Sequence, residues 1–363
     1  MNDERDCLNY LITYYHKQVK KNNFVNITKP ISPLYVGFKI TEKCNQNCKH
    51  CWAGKSKVTK SYDDICLAME KIATYKIMHF TITGGEPLIH PDFLKILKKS
   101  IELFPIVEIF TNGQDLNEET INEISYYLRE SDYVQISLDG MKESYKSQRG
   151  VDTFDKVVSN IKLLRKNKIN VRINMTATDI NINDINSVYN LANDLNVNVF
   201  SVTPVFDLRK GKQLRNISLL EKYEMLVKQL ETKHSKNKST IILRTFMPLE
   251  IKSRTAKVVE KIKNNNYIYF NDNILHWTID AEGNIYNFLD HYKHKDLYIG
   301  NIYKDSISEI NKRNLFIQHK IGLRNLSNCK CAICSRVERC NGGNYIDIYP
   351  NINNPDERCE FNG

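Results

Sequence analysis

The chain has 363 residues, 41% of them apolar, and a formal net charge of +10. That is apolar matter enough for a buried core, which excludes a disordered or fibrous chain and suggests two domains or one large domain with an appendage. Its opening Met-Asn-Asp-Glu-Arg-Asp is acidic with no apolar run behind it, so a secretory signal is excluded, and no apolar stretch is long enough to span a membrane. Ten cysteines in a chain of this length do not make a small disulfide scaffold. They read as metal ligands kept in a reducing, cytoplasmic compartment. The positive charge is spread along the length, densest at Lys17–Lys21, Arg209–Arg215 and Lys233–Lys238. Such runs are solvated faces or attractors of acidic partners.

Residues 1–33 read as a helical arm that ends at Pro30 and Pro33. Strand-like and helix-like stretches then alternate. Strands are predicted at 34–41, 77–83, 106–111, 133–139, 170–177 and 198–205. Amphipathic helical stretches lie between them at Asp63–Lys76, Phe93–Leu103, Asn117–Arg129, Phe154–Lys168 and Ile182–Leu195, and 217–236 continues as a helix after the sixth strand. This alternation argues for an α/β fold of parallel strands with helical crossovers, either a partial barrel or an open Rossmann-like sheet.

The loop after the first strand reads Thr41-Glu-Lys-Cys44-Asn-Gln-Asn-Cys48-Lys-His-Cys51-Trp52, a C-x3-C-x2-C spacing. A loop can turn three thiolates toward one region, which a strand with alternating faces cannot. Three close cysteines suit an iron–sulfur cluster that keeps one iron free for a substrate, with a zinc site or plain core thiols as the alternatives. An odd trio cannot pair off as disulfides. At this motif the chain resembles the radical S-adenosylmethionine (radical SAM) superfamily. The resemblance implies a partial (β/α)6 TIM-like barrel, with Cys44, Cys48 and Cys51 as ligands of a 4Fe-4S cluster whose fourth iron is chelated by SAM. His50 stands where that family usually has an aromatic residue before the last cysteine.

Functional groups in parallel folds gather at the carboxyl ends of strands. The second strand ends in Thr83-Gly84-Gly85-Glu86-Pro87. Read alone this is a turn with a carboxylate; the resemblance makes Gly84, Gly85 and Glu86 the motif that binds the SAM amino group. The third strand ends in Thr111-Asn112-Gly113, and the fourth in Ser137-Leu138-Asp139-Gly140, with Arg149 twelve residues beyond Ser137. The resemblance implies that Ser137 and Arg149 hold the methionyl carboxylate, for which an arginine fork is suited. The alternative is a strand-end serine and a surface arginine.

Beyond about residue 245 the pattern changes. The run Trp277–Tyr286 reads as two strands around a Glu282-Gly283 turn. Cys329, Cys331, Cys334, Cys340 and Cys359 crowd the end, with Asn341-Gly342-Gly343 after Cys340. This region resembles the SPASM/twitch extensions of radical SAM enzymes, small α+β iron–sulfur domains. Two positions that hold ligands of a second auxiliary cluster in full SPASM domains carry Phe288 and Asn344 here. One auxiliary cluster is therefore expected, on Cys331, Cys334, Cys340 and Cys359, with a four-cysteine zinc knot as the alternative. Cys329 is a spare thiol or a substitute ligand, and Cys7 and Cys66 are ordinary thiols, with a hydrogen-atom-donor role conceivable for Cys66. The expected domains are the arm at 1–33, the radical SAM barrel at 34–245 and the auxiliary iron–sulfur domain at 246–363.

The resemblance implies reductive cleavage of SAM to a 5′-deoxyadenosyl radical, which abstracts hydrogen from substrate. Three functions follow: a ribosomal-peptide maturase forming a thioether, a carbon–carbon crosslink or an inverted stereocentre; a small-molecule enzyme acting on tetrapyrrole side chains; or a non-catalytic metal module on RNA. The last would need interleaved basic and aromatic residues, which the sequence lacks, so nucleic acid is not an expected partner. The first is preferred, with the acidic electron donor being a flavodoxin or ferredoxin. About thirty residues before the barrel are too few for a leader-peptide-binding domain, which weighs against the peptide reading without removing it, because such a module can be a separate leader-binding partner protein.

Overall fold

A computed structural model describes residues 28–51, 57–205, 209–214, 217–236, 241–245, 268–270, 272–287, 294–326, 328–334 and 350–354. The chain divides into two compact units, Leu34–Pro248 with Thr278–Asn284, and the remainder.

In the first unit, seven strands form a parallel sheet in chain order: β1 Tyr35–Thr41, β2 His79–Gly84, β3 Ile106–Thr111, β4 Tyr133–Ser137, β5 Val171–Ala177, β6 Val199–Pro204 and β7 Ile242–Thr245. A doubly wound Rossmann sheet reverses strand order at its centre; strands that follow one another in chain order wind as a (β/α) barrel does. The fold is thus a partial (β/α) barrel. The six expected strands are present, and β7 adds a short seventh. Crossovers are α1 Tyr62–Ala73, α2 Phe93–Leu103, α3 Glu118–Tyr127, α4 Lys142–Arg149, α5 Phe154–Lys166, α6 Ile185–Asp194 and α7 Ile217–Lys236.

The helices form for local reasons. Ser61 caps α1 by accepting from the Asp64 amide, and Ile65, Ala68, Met69 and Ile72 bury one stripe of that helix. In α2 the stripe is Phe93, Ile96, Leu97 and Ser100. These stripes cover Phe38, Ile40, Phe80, Ile82, Val107 and Ile109, all fully or almost fully buried. The alternate strand positions carry Lys39, Thr81, Glu108, Gln135 and Arg172, buried polar residues on the other face of the sheet. α4 was not predicted. Its buried residues are Tyr145, Gln148 and Arg149, and it stops at Gly150, which adopts φ 74°.

In the second unit, β8 Ile268–Phe270 pairs antiparallel with β12 Leu323–Asn325, and α8 Ile307–Ile321 starts in a capping box of Ser306 and Glu309. Gln318 of α8 binds the Ile31 backbone in both directions at 2.8 Å, which fixes the chain just ahead of the barrel. The predicted hairpin is present as β9 His276–Ile279 and β10 Asn284–Asn287, and the turn is closed by Asp280, which accepts from the amides of Glu282 and Asn284. Strand β11 is Tyr298–Asn301. Among the described residues, no helix is long and apolar enough to cross a membrane.

Candidate active site

The cysteine loop leaves the carboxyl end of β1 and is held there by the turn that follows β2. The Gly85 amide donates to the Thr41 carbonyl at 2.8 Å, and the Glu86 amide to the Lys43 carbonyl at 2.8 Å. A Cβ on Gly84 would collide with the Thr41 carbonyl oxygen, and one on Gly85 with the carbonyl of Lys43. The close approach that these glycines permit is thus to the chain's own backbone at the root of the loop.

Glu86 is almost fully buried and turns back into the protein. Its carboxylate accepts from the Thr111 hydroxyl at 2.6 Å, the Asn112 amide at 2.7 Å and the Leu88 amide at 3.1 Å. Thr111 and Asn112 end β3, so one carboxylate ties the β2 turn to the β3 turn. Burial pushes the Glu86 pKa up to about 7, against the opposing pull of those hydrogen bonds.

All three residues of the x3 spacer are also engaged. Asn45 donates to Asp115 at 2.5 Å and accepts from the Asn112 side chain at 2.8 Å. Gln46 donates to Gln114 at 3.2 Å and accepts from Arg149 at 3.2 Å. Asn47 accepts from Lys210 at 2.6 Å, and the same ammonium reaches the Cys48 carbonyl at 3.3 Å. Further along, the Lys49 amide donates to the Gln148 carbonyl at 2.8 Å. The loop that carries the thiols is thereby clamped from β3, from α4 and from the segment after β6.

Arg149 is the last residue of α4 and is 6% exposed. Its Nη2 lies 2.5 Å from Oδ2 of Asp139, which is fully buried just past β4. His50, the residue before Cys51, has Nε2 3.4 Å from the same Asp139 oxygen. The other carboxylate oxygen accepts from the Thr176 amide at 2.7 Å. Ser137 and Arg149 share no hydrogen bond, and Ser137 stands half-buried at the end of β4 opposite Asn174. Sequence reasoning therefore missed Asp139, Gln46 and Lys210. Asp139 stands in the Ser137–Gly140 run, but only its burial beside Arg149 reveals that it holds the guanidinium.

Cys44, Cys48 and Cys51 stand on this clamped loop with free thiols. Burial raises the pKa of Cys48, so its thiolate needs cationic compensation, which iron supplies. Among the described residues no three His, Cys, Asp or Glu side chains meet closely enough to hold one ion. A four-iron cluster instead seats each thiolate on a different iron. The donor set fits such a cluster.

In the second unit, Cys331 is buried and Cys329 and Cys334 are half-buried around a short helical turn at Lys330–Ile333. The Cys329 thiol donates to the Leu326 carbonyl at 3.3 Å and packs against Leu326 and Cys331. Cys340 and Cys359 lie outside the described residues, as do Phe288, Asn344 and Cys7. Cys66 is half-buried on α1.

Residues 38–192, which run from β1 through α6, match the family model described as the radical SAM superfamily. Residues 38–192 thus form a radical SAM domain. Among curated relatives, the sporulation killing factor maturation protein SkfB of Bacillus subtilis is 24% identical over 303 residues, covering 82% of this chain and 69% of SkfB. The pre-heme d1 synthase of Dinoroseobacter shibae is 23% identical over 214 residues, covering 57% of this chain and 52% of the synthase. Streptococcus suis SuiB bound to S-adenosylmethionine has a TM-score of 0.72 at 16% identity, covering 95% of this chain and 80% of SuiB. A second SuiB structure, with the precursor peptide SuiA, gives 0.70 and covers 99% of this chain and 82% of that one. At these identities the SuiB likeness speaks to fold, and it extends over the C-terminal region as well as the barrel.

Proposed function

We propose that this chain is a radical SAM peptide maturase, with Cys44, Cys48 and Cys51 holding a SAM-binding 4Fe-4S cluster and Cys331, Cys334, Cys340 and Cys359 holding one auxiliary cluster. With these groups bound, reductive cleavage of SAM supplies a 5′-deoxyadenosyl radical that takes hydrogen from the substrate. The chain's own residues bind and orient. Gly84, Gly85 and Glu86 form the turn that receives the SAM amino group, and Ser137 and Arg149 receive its carboxylate. The barrel occupies 34–245 and the auxiliary domain 246–363. Its four thiolates fill every iron, so the auxiliary cluster carries electrons rather than binding substrate. A separate leader-binding protein and an acidic electron donor, flavodoxin or ferredoxin, complete the system.

The observation that carries the peptide substrate is a likeness of two kinds. SkfB, a maturation protein, aligns with 82% of the chain, and the SuiB fold that binds a precursor peptide covers almost all of it. The pre-heme d1 synthase match favours a second reading, chemistry on a tetrapyrrole side chain. The reduced enzyme, incubated with SAM and with peptides encoded beside its gene, is expected to remove two mass units or exchange one deuterium from solvent. Turnover of carboxylated porphyrinoids alone would hand the case to the second reading.

The Glu86 pKa gives a further expected result. Above about 7 its carboxylate is charged and attracts an ammonium; below that it is protonated and does not. SAM affinity should therefore rise as pH increases through about 7 and level off above it. Anaerobic calorimetry from about pH 6 to about pH 8.5 checks this, with Glu86→Gln expected to bind more weakly and without the pH step. Equal affinity and pH dependence in Glu86→Gln would remove Glu86 from the SAM site.

A further inference from the structure

Arg149 meets a ligand with its charge already matched. Asp139 is fully buried, and its Oδ2 stands 2.5 Å from Arg149 Nη2 and 3.4 Å from His50 Nε2. Its Oδ1 is held by the Thr176 amide of β5 at 2.7 Å, and its own carbonyl accepts from the Asn181 side chain at 3.2 Å. The carboxylate is therefore fixed from the β5 side and cannot follow the arginine if the arginine moves. On the arginine, Nη1 donates to Gln46 at 3.2 Å, and Nε is buried with no hydrogen-bond partner. On the histidine, Nδ1 is likewise buried and without a hydrogen-bond partner.

A buried donor without a partner costs free energy unless a ligand satisfies it. Here the unpartnered donor is Arg149 Nε on α4; His50 Nδ1 on the cysteine loop, the acceptor nitrogen when Nε2–H faces Asp139, is a second buried polar atom without a hydrogen-bond partner beside the same carboxylate. Among the described residues, the Lys210 ammonium is engaged by Asn47 and the Cys48 carbonyl rather than by Asp139.

We propose that Asp139 is a positioning residue of the SAM site: it fixes Arg149 and His50 together, so that the arginine presents its unpartnered Nε to the ligand while the histidine braces the end of the cysteine loop. This rests on the reading that Arg149 receives the SAM carboxylate. Two consequences follow. The arginine cannot swing out to capture its ligand, because its Nη2 is held by a carboxylate that is itself anchored to β5. The ligand also meets an almost neutral pair, so recognition depends on geometry more than on net attraction. Arg149→Ala is a poor test, since it strands a buried carboxylate; Asp139→Asn keeps the shape and removes only the tether.

The test uses the anaerobically reconstituted full chain and titrates SAM against the electron paramagnetic resonance signal of the reduced cluster, with iron content measured in parallel. A SAM-dependent change in the wild-type signal establishes that SAM is bound at the cluster; its absence would defeat that underlying reading, whatever the variants do. Given that change, Asp139→Asn is expected to retain the wild-type iron content yet to need about ten-fold more SAM for half conversion. His50→Phe keeps a flat ring without the nitrogen that meets Asp139, and is expected to shift the midpoint in the same direction by about three-fold. The double variant is expected to be no worse than Asp139→Asn alone, because both changes cut one connection. Should Asp139→Asn fail to retain iron, the His50→Phe titration decides alone. Wild-type midpoints in Asp139→Asn or, in that event, in His50→Phe would overturn the proposal.

Discussion

Anaerobic reconstitution of the chain is expected to give about eight irons with matching sulfide, and changing Cys44, Cys48 and Cys51 together to Ala to leave about four. The same triple variant is expected to lose SAM cleavage completely, because on the proposed assignment the removed thiols hold the cluster that keeps an iron open to SAM. The expectation is more than a motif match. The loop bearing these thiols is held by the β2 turn, by Asn112 and Asp115 after β3, by Arg149 of α4 and by Lys210. A loop clamped on so many sides keeps its course when the thiols are removed, so the variant tests ligation rather than folding. The auxiliary cluster, on Cys331, Cys334, Cys340 and Cys359, should survive and account for the remaining iron. Stoichiometric zinc in freshly purified protein, with no iron–sulfur absorbance after reconstitution, would sink the assignment of both sites.

The barrel was legible because its strands and most of its helices carry ordinary periodicity. Phe93–Leu103 coincides with α2, and the six predicted strands fall on β1 to β6, since each buries Ile, Val or Phe on alternate positions. What escaped did so for physical reasons. α4 buries Tyr145, Gln148 and Arg149, so it has no apolar stripe to read. β7 has only four residues, Ile242–Thr245, too few to show alternation. The cysteine loop was visible from spacing alone, whereas its clamps were not. Asn45, Gln46 and Asn47 are ordinary loop residues by type, and their partners lie up to 163 positions away in the chain. Asp139 was hidden in the same way, because burial next to an arginine is a tertiary fact. The sequence shows Glu86 as an acceptor in a turn, but not that three of its lone pairs are spent on Thr111, Asn112 and Leu88 inside the fold.

The other large effect lies at the far end of the strands from the cysteine loop. Glu108 of β3 stands 3.1 Å from His79 Nε2 on β2 and forms an ion pair with Arg172 on β5, all three almost fully buried. The guanidinium of Arg172 also lies 5.4 Å from the centroid of the Tyr133 ring, and Tyr35 stacks at a tilt on His79 with ring centroids 4.9 Å apart. Five strands thus contribute to one charged knot inside the sheet's polar face. Glu108→Ala removes the only acid of the Glu108, His79 and Arg172 set and leaves the arginine cation in a desolvated place. Breaking such a buried pair costs about 3–5 kcal/mol, far more than truncating an exposed one. At roughly 2–4 °C per kcal/mol for a domain of this size, the melting temperature is expected to fall by roughly 6–20 °C. Glu108→Gln, which keeps the shape and one acceptor, is expected to cost less. The two variants separate charge from packing. Because Thr111 and Asn112, at the other end of β3, are what support Glu86 and Asn45, iron content and SAM affinity of the folded Glu108→Ala protein are expected to match the wild type when measured well below its melting point. A melting temperature within about 2 °C of the wild type would show that the knot adds little to folding, as a fully compensated buried network sometimes does.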